Sequence, residues 1–296
     1  MRPSIHPHQP KPAVNRTTSS APGTAVRPPV PRPRRPWARS LLHAYAWLVI
    51  AFVLVPIVVM VVYSFNQTPN GRVTLNWQGF TTYWYAHALG IADLTTALWH
   101  SLEIASGSSA IAVLLGTPMA LAMGRWRFRA KPLSDLLIFT DIAAPSVVVG
   151  ASLLSFFIAL NVPQGLVTIL IAHVAFELAF VVAVIRARVS GLDRMLDRAA
   201  ADLGATPWAT FRHVTFPLIL PGLFGAAALA FGLSIDDVII TNFVAGPKLT
   251  FPLWVYGAVK VGIPPQVFVL STCIFVGGLL LAGVNAWVAR RNPPLP

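Results

Sequence analysis

The sequence predicts an all-α membrane protein with six transmembrane helices and both termini on the cytoplasmic side, and three observations carry that prediction. The first is composition: of 296 residues, 55% are hydrophobic and only 11% charged, with a mean hydropathy of +0.67. Soluble domains carry roughly a quarter charged residues, so this chain has too little polar surface to cover itself in water. The second is the length of the uncharged stretches, because about 20 apolar residues cross the hydrocarbon core of a bilayer as a helix. The third is the placement of the basic residues, 22 Lys and Arg against 10 Asp and Glu for a net charge of +12.

In chain order, residues 1–40 are rich in Pro, Ser, Thr and Arg with little to bury, which predicts a disordered basic cytoplasmic arm. The transmembrane domain is expected over 41–291. Its first span, near 42–65, contains the uncharged run Ala44–Tyr63 and lacks a small-residue cleavage site, so it reads as a retained anchor rather than a signal peptide. An aromatic, moderately polar segment follows to about residue 96, with a short surface helix expected between Gly79 and His87. The second span is placed at 102–124. The uncharged run Ile142–His173 is too long for one crossing, and the turn Asn161-Val162-Pro163-Gln164-Gly165 divides it into spans at 135–160 and 166–186. Spans five and six are placed at 217–241 and 267–289, with a tail at 292–296.

With the N-terminus inside, 19 of the 22 Lys and Arg fall in cytoplasmic segments, leaving Arg72, Lys248 and Lys260 outside. This matches the positive-inside rule, so the basic excess is a topology label and no nucleic-acid partner is expected. Trp126 and Trp287 at the inner boundary, and Trp99 and Trp254 at the outer one, suit interfacial anchors.

The cytoplasmic loop at 190–217, between spans four and five, reads as two short helices joined by a fixed turn. Ala199, Ala200 and Ala201 favour helix, Gly204 can adopt the left-handed conformation that ends it, Thr206 can cap the next helix, and Pro207 suits its first position. The segment resembles the Glu-Ala-Ala signature loop of ABC importer inner-membrane permeases. Ala199, Ala200, Gly204, Val214, Phe216 and Pro217 occupy matching positions, whereas Arg198 stands where the family has Glu. The segments 171–176, 181–189 and 233–247 resemble spans four and five of spermidine/putrescine permeases of the PotC type.

The resemblance implies the type I ABC importer permease fold. It also implies a partner set of a homologous second permease, two copies of a cytoplasmic ABC ATPase, an extracytoplasmic solute-binding protein and membrane lipid. ATP and Mg would be used by the ATPase, with no cofactor bound by this chain. The coupling loop would present Asp197, Arg198, Ala199, Ala200, Asp202, Gly204, Val214 and Pro217, with Asp197 or Asp202 able to substitute for the missing Glu. The mechanism implied is alternating access.

Ionisable groups inside the membrane are costly unless paired or wetted, so Asp141, Glu177, Asp236 and Asp237 are candidates for a path carrying a polycation. Asp236 and Asp237 can instead be structural, capping a break in span five or pairing with Lys248 or Lys260. His173 reads as a hydrogen-bonded interior residue. Gly222, Gly225, Ala226, Ala230 and Gly232 provide small surfaces for helix packing.

A single cysteine, Cys273, excludes a disulfide framework, and neither a His-Glu-x-x-His pair nor a phosphate-binding Gly-x-x-x-x-Gly-Lys loop is present. Neither a catalytic set nor a metal site is therefore expected. Another small solute such as ferric iron or sulfate fits the same architecture. An ion-driven secondary transporter would also explain spans and buried acids, but it would not need the 196–217 loop.

Overall fold

The computed structural model describes residues 36–291 apart from Pro69 and Leu75, so most of the expected basic arm and the 292–296 tail lie outside the described residues. The chain divides into two units, residues 1–53 and 54–296. In the first, the described part is the start of helix α1 (Pro36–Tyr63), whose residues from Ser40 to Val53 are all exposed. The helix thus begins inside the segment assigned to the arm. Leu41, Trp47, Leu48 and Phe52 are each at least 60% exposed, a surface suited to lipid rather than water.

The second unit contains the end of α1 and then a short α2 (Tyr83–Ala86), which falls within the expected surface helix. Asn66 organises the connection between them. Its buried side chain donates to the Asn76 carbonyl at 3.0 Å and accepts from the Gln78 amide at 2.8 Å, while its own carbonyl accepts from Trp84 Nε1 at 3.1 Å. Helix α3 (Ala92–Arg125) starts ten residues before the expected second span. Counting charges stopped that expectation at Glu103, but the added turns bury Leu94, Ala97 and Ser101 instead of facing lipid.

The third span differs more. It comprises α4 (Lys131–Ala143) and α5 (Ser146–Ala159), bent by 107° about Ala144-Pro145. Proline donates no amide hydrogen and disfavours the helical region for its predecessor, and Ala144 is extended at ψ 132°. Helix α6 (Leu166–Ser190) forms the fourth span, its start secured by the N–H of the preceding Gly165 donating to Thr168 Oγ1 at 2.8 Å. The two loop helices are α7 (Met195–Asp202) and α8 (Pro207–Thr210), with Gly204 at φ +82° between them and Thr206 capping α8 through the Ala209 amide at 3.3 Å. This is the helix pair expected from the sequence.

A π-helical turn, Phe211–Thr215, leads into α9 (Phe216–Asp236). The fifth span does not continue to residue 241. It stops at Asp236, and a separate α10 (Ile239–Val244) begins after a two-residue break. Helices α11 (Phe251–Ala258) and α12 (Pro265–Arg291) complete the fold. Five helices are long and apolar enough to cross a membrane, or six if α4 and α5 are taken as one bent span. Apart from one antiparallel bridge between Asn66 and Phe80, the described residues form no β structure.

Helices α3, α6 and α9 form the centre. Ala112, Ala120 and Met123 pack there against Val181, Val182, Ile185, Ile219, Ala226 and Ala230. Gly116 and Gly124 set the spacing of α3 against α6, since a Cβ at either would lie 2.8 Å from a valine methyl. The packing expected of Ala226 and Ala230 is present, and Gly222 accommodates Arg188, but a Cβ at Gly232 would meet open space. A second core joins Ile104, Phe157, Ile169, Ala172, Ile240 and Val244, bringing α5 and α10 together. At that contact a Cβ on Gly150 would approach Phe243 Cδ2 to 2.6 Å and the Ile240 backbone to 3.2 Å. Backbone cannot yield as a side-chain tip can. Gly150→Val is therefore expected to cost about 3 kcal/mol, the upper part of the usual overpacking range, and to lower the melting temperature of the purified protein in detergent.

Candidate functional site

The break in the fifth span is held open by its own residues. Asp237 accepts from the Thr241 amide at 2.8 Å, from the Thr241 hydroxyl at 2.9 Å and from the Ile240 amide at 3.4 Å. One carboxylate therefore supplies partners to the first turn of α10, whose amides have none within the helix. Capping a break in the span is the structural alternative weighed for this residue, and no ion pair joins it to Lys248 or Lys260 among the described residues.

From Asp237 a chain of buried polar groups runs across the centre. His173 on α6 meets Thr241 Oγ1 through Nε2 at 2.9 Å and Ser234 Oγ through Nδ1 at 2.7 Å, with Asp237 Oδ2 3.5 Å from Nε2. Ser108 on α3 lies 3.2 Å from Ser234 Oγ and donates to Glu177 Oε1 at 2.9 Å. Glu177 is completely buried, and its Oε2 has no hydrogen-bond partner among the described residues. Both ring nitrogens of His173 are engaged, which fixes the imidazole as an interior connector. Ser108 and Ser234 were not singled out in the sequence, although a serine inside an apolar span is itself a signal that a polar partner lies across the helix interface.

Asp236, next in sequence to Asp237, has a different environment. It is exposed on the wall of a cavity of about 600 Å³ whose lining includes Met60, Phe251, Tyr256, Ser271 and Phe275. The Lys260 ammonium sits 5.9 Å from the Tyr256 ring centroid, so this ring already presents a face to a cation. Asp141 is half-buried near the end of α4, just before the bend, and joins neither the polar chain nor this cavity. The structure thus separates the four acids: Glu177 and Asp237 belong to one buried network, Asp236 faces open space, and Asp141 stands apart.

At the other end of α9, the loop helices are braced from below. Asp197 on α7 accepts from Arg125 Nη1 at 2.6 Å and from Thr215 Oγ1 at 3.4 Å, tying α7 to the end of α3 and to the π turn. Arg194 Nη2 donates to the Arg125 carbonyl at 2.8 Å, and Trp208 stacks on Phe211 with centroids 5.5 Å apart. Arg198, Ala199, Asp202 and Gly204 are exposed, Ala200 and Val214 are half-buried, and Pro217 occupies the first turn of α9. Arg186 pairs with Asp135, and Arg188 Nε donates to the Leu218 carbonyl at 3.0 Å with its stem over Gly222. Among the described residues, no cluster of three or more His, Cys, Asp or Glu could hold a metal ion.

Residues 112–292 match the family of binding-protein-dependent transport system inner membrane components. The chain belongs to this family. It is 36% identical over 253 residues to the spermidine/putrescine transport system permease protein PotC of Escherichia coli K12, covering 85% of this chain and 95% of that protein. It is likewise 36% identical over 266 residues to the putrescine transport system permease protein PotI of the same strain, covering 87% and 92%. Among solved structures it resembles a chain of a bacterial ABC transporter involved in import of the acidic polysaccharide alginate, with a TM-score of 0.60, 18% identity and coverage of 87% and 98%. It also resembles a chain of the inward-facing MetNI methionine ABC transporter, with a TM-score of 0.55, 17% identity and coverage of 68% and 96%.

The fold is accordingly that of type I ABC importer permeases, and the protein is a multi-pass component of the bacterial inner membrane. Within this permease the polar chain has a measurable consequence. Thr241→Val removes the hydroxyl shared by His173 and Asp237 and should cost about 1–3 kcal/mol, the usual penalty for a buried polar group left short of a partner. Thermal unfolding of the purified permease in detergent measures it, and an unchanged midpoint would show that the chain does not hold the span together.

Proposed function

We propose that this permease forms part of the path by which an ATP-driven importer carries polyamines such as spermidine and putrescine. The observation that supports this substrate class most directly is Asp236, an exposed carboxylate on a cavity wall with Tyr256, Phe251 and Phe275 alongside. A polyamine is a flexible chain of ammonium groups separated by methylenes. A carboxylate, aromatic faces and apolar wall match its two components, and cation–π contacts contribute without fixing one orientation. The relatives named as spermidine/putrescine and putrescine permeases support the same class.

In this reading the N-terminus and the loop carrying α7 and α8 face the cytoplasm, in accord with the distribution of Lys and Arg. A solute-binding protein delivers the polyamine from outside, and a second, homologous permease completes the path. Two copies of a cytoplasmic ATPase bind ATP with Mg and engage the 190–217 loop. This chain hydrolyses nothing itself. Closure of the ATPase pair moves α7 and α8, and the Asp197–Arg125 brace passes that motion to α3, while the π turn passes it to α9. Glu177 and Asp237 serve this cycle as parts of the interhelical network, whereas Asp236 meets the substrate.

Labelled spermidine uptake into vesicles carrying the complete complex tests the assignment. Asp236→Asn should reduce uptake about tenfold, the order expected for losing a hydrogen bond to a charged group, at an unchanged level of permease in the membrane. Unchanged uptake removes Asp236 from the path. Excess ferric iron or sulfate is expected to leave spermidine uptake unaffected, and uptake sustained by a proton gradient without the ATPase would overturn the ATP-driven reading.

A further inference from the structure

We infer that the ATPase surface receiving α7 and α8 is an apolar socket bearing a carboxylate for Arg198, and that Asp197 takes no part in that contact. The inference rests on the docking role proposed above for the 190–217 loop and names the chemistry of the partner at that site. The positions of the two charges carry it. Asp197 is half-buried, with one carboxylate oxygen 2.6 Å from Arg125 and the other 3.4 Å from Thr215. Both oxygens are occupied within this chain, and removing Asp197 to serve a partner would leave Arg125 without its carboxylate.

Arg198, the next residue, is turned about 100° around α7 from Asp197, onto its exposed side. It is exposed, and among the described residues its side chain makes one polar contact, a weak one to Met195 Sδ at 3.9 Å. The surface around it is unlike an ordinary solvated loop. Leu203 is 88% exposed, Trp208 68% and Met195 59%. Large apolar groups clustered this way mark a surface that a protein partner covers.

The charge of that surface is equally one-sided. Arg198 and Arg212 are exposed on it, and Arg127 and Arg129 lie on the adjoining segment after α3. Of the acids, Asp193 is engaged in capping α7, with its Oδ1 accepting from the Met195 amide at 2.8 Å, which leaves Asp202. A partner with a basic rim would face repulsion here, and an acidic one finds its complement. Gly204 at φ +82° holds Leu203 and Trp208 on either side of a turn that an L side chain would strain, so the apolar knob is presented in one shape.

The test uses the full permease pair co-expressed with its cognate ATPase, reconstituted in nanodiscs and captured through a tag on this chain. Arg198→Glu should lower the ATPase retained by at least about fivefold, because rim charge reversal replaces attraction with repulsion, while Arg198→Lys retains most of it. Wild-type retention should fall as salt rises, and Arg198→Gln should flatten that dependence. Retention by Arg198→Glu equal to or above wild type would overturn the inference.

A defect of Arg198→Glu seen in anionic phosphatidylglycerol discs but absent in phosphatidylcholine discs would assign Arg198 to lipid headgroups and overturn it as well. Leu203→Asp and Trp208→Ala provide the independent check on docking itself. If both retain the ATPase fully, the coupling reading fails; if they lose it while Arg198→Glu does not, only the charge assignment fails. Thermal unfolding of each permease variant before ATPase addition separates these outcomes from misfolding, and Arg198→Gln serves in place of Arg198→Glu if the latter is not recovered.

Discussion

The architecture of the second unit depends on satisfying polar groups inside an apolar bundle. The polar chain from Glu177 through Ser108, Ser234 and His173 to Thr241 and Asp237 links α3, α6, α9 and α10 by side-chain hydrogen bonds. Within hydrocarbon an unpaired backbone amide costs several kcal/mol, so a span can be interrupted only where protein groups replace the lost helical bonds. Asp237 does this for the first turn of α10, and His173 holds Asp237 in place from the neighbouring helix. The break in the fifth span and the packing of α5 on α10 follow from that arrangement.

Two adjacent carboxylates therefore perform different physical tasks. The backbone leaves the helix at Asp237, which is extended at ψ 122°, and this change of direction turns its side chain into the polar chain while Asp236 remains on the outside of α9. Had the helix continued, residues one apart would have diverged by about 100° and neither would have reached a backbone amide of the next turn. Interruption of a span thus supplies both a rigid interior cap and a carboxylate facing a cavity. Intramembrane sites in transporters commonly use broken helices in this way.

The far end of α9 uses charge for attachment rather than for a cavity. Arg125 and Asp197 connect the loop helices to α3, and the π turn sets α8 against the start of α9. Half-buried and with each oxygen accepting from a different residue, Arg125 and Thr215, the Asp197 carboxylate is more firmly held than an exposed surface pair would be. The same bond draws Asp197 away from the exposed face, where Arg198 and Arg212 outnumber Asp202. An inner brace and an exposed cation are thereby divided between neighbouring residues of one helix.

Much of this was legible in the chain. Uncharged runs locate the spans because hydrocarbon excludes charge over a fixed thickness. Ala199–Ala201, Gly204, Thr206 and Pro207 specify the loop helices because each acts through its own backbone conformation or local hydrogen bond. Pro145 breaks the third span, yet proline alone does not mark a break, since Pro56, Pro118 and Pro221 lie inside continuous helices. What composition could not decide was which polar groups meet. Which acid the polar chain takes up and whether Asp197 faces inward depend on side chains far apart in the sequence: Ser108 lies 69 positions from Glu177 and 126 from Ser234, and Arg125 lies 72 from Asp197. Local sequence fixes periodicity and turns, which are properties of neighbouring residues. Only the tertiary packing sets the distances of a few ångströms on which hydrogen bonds and ion pairs depend.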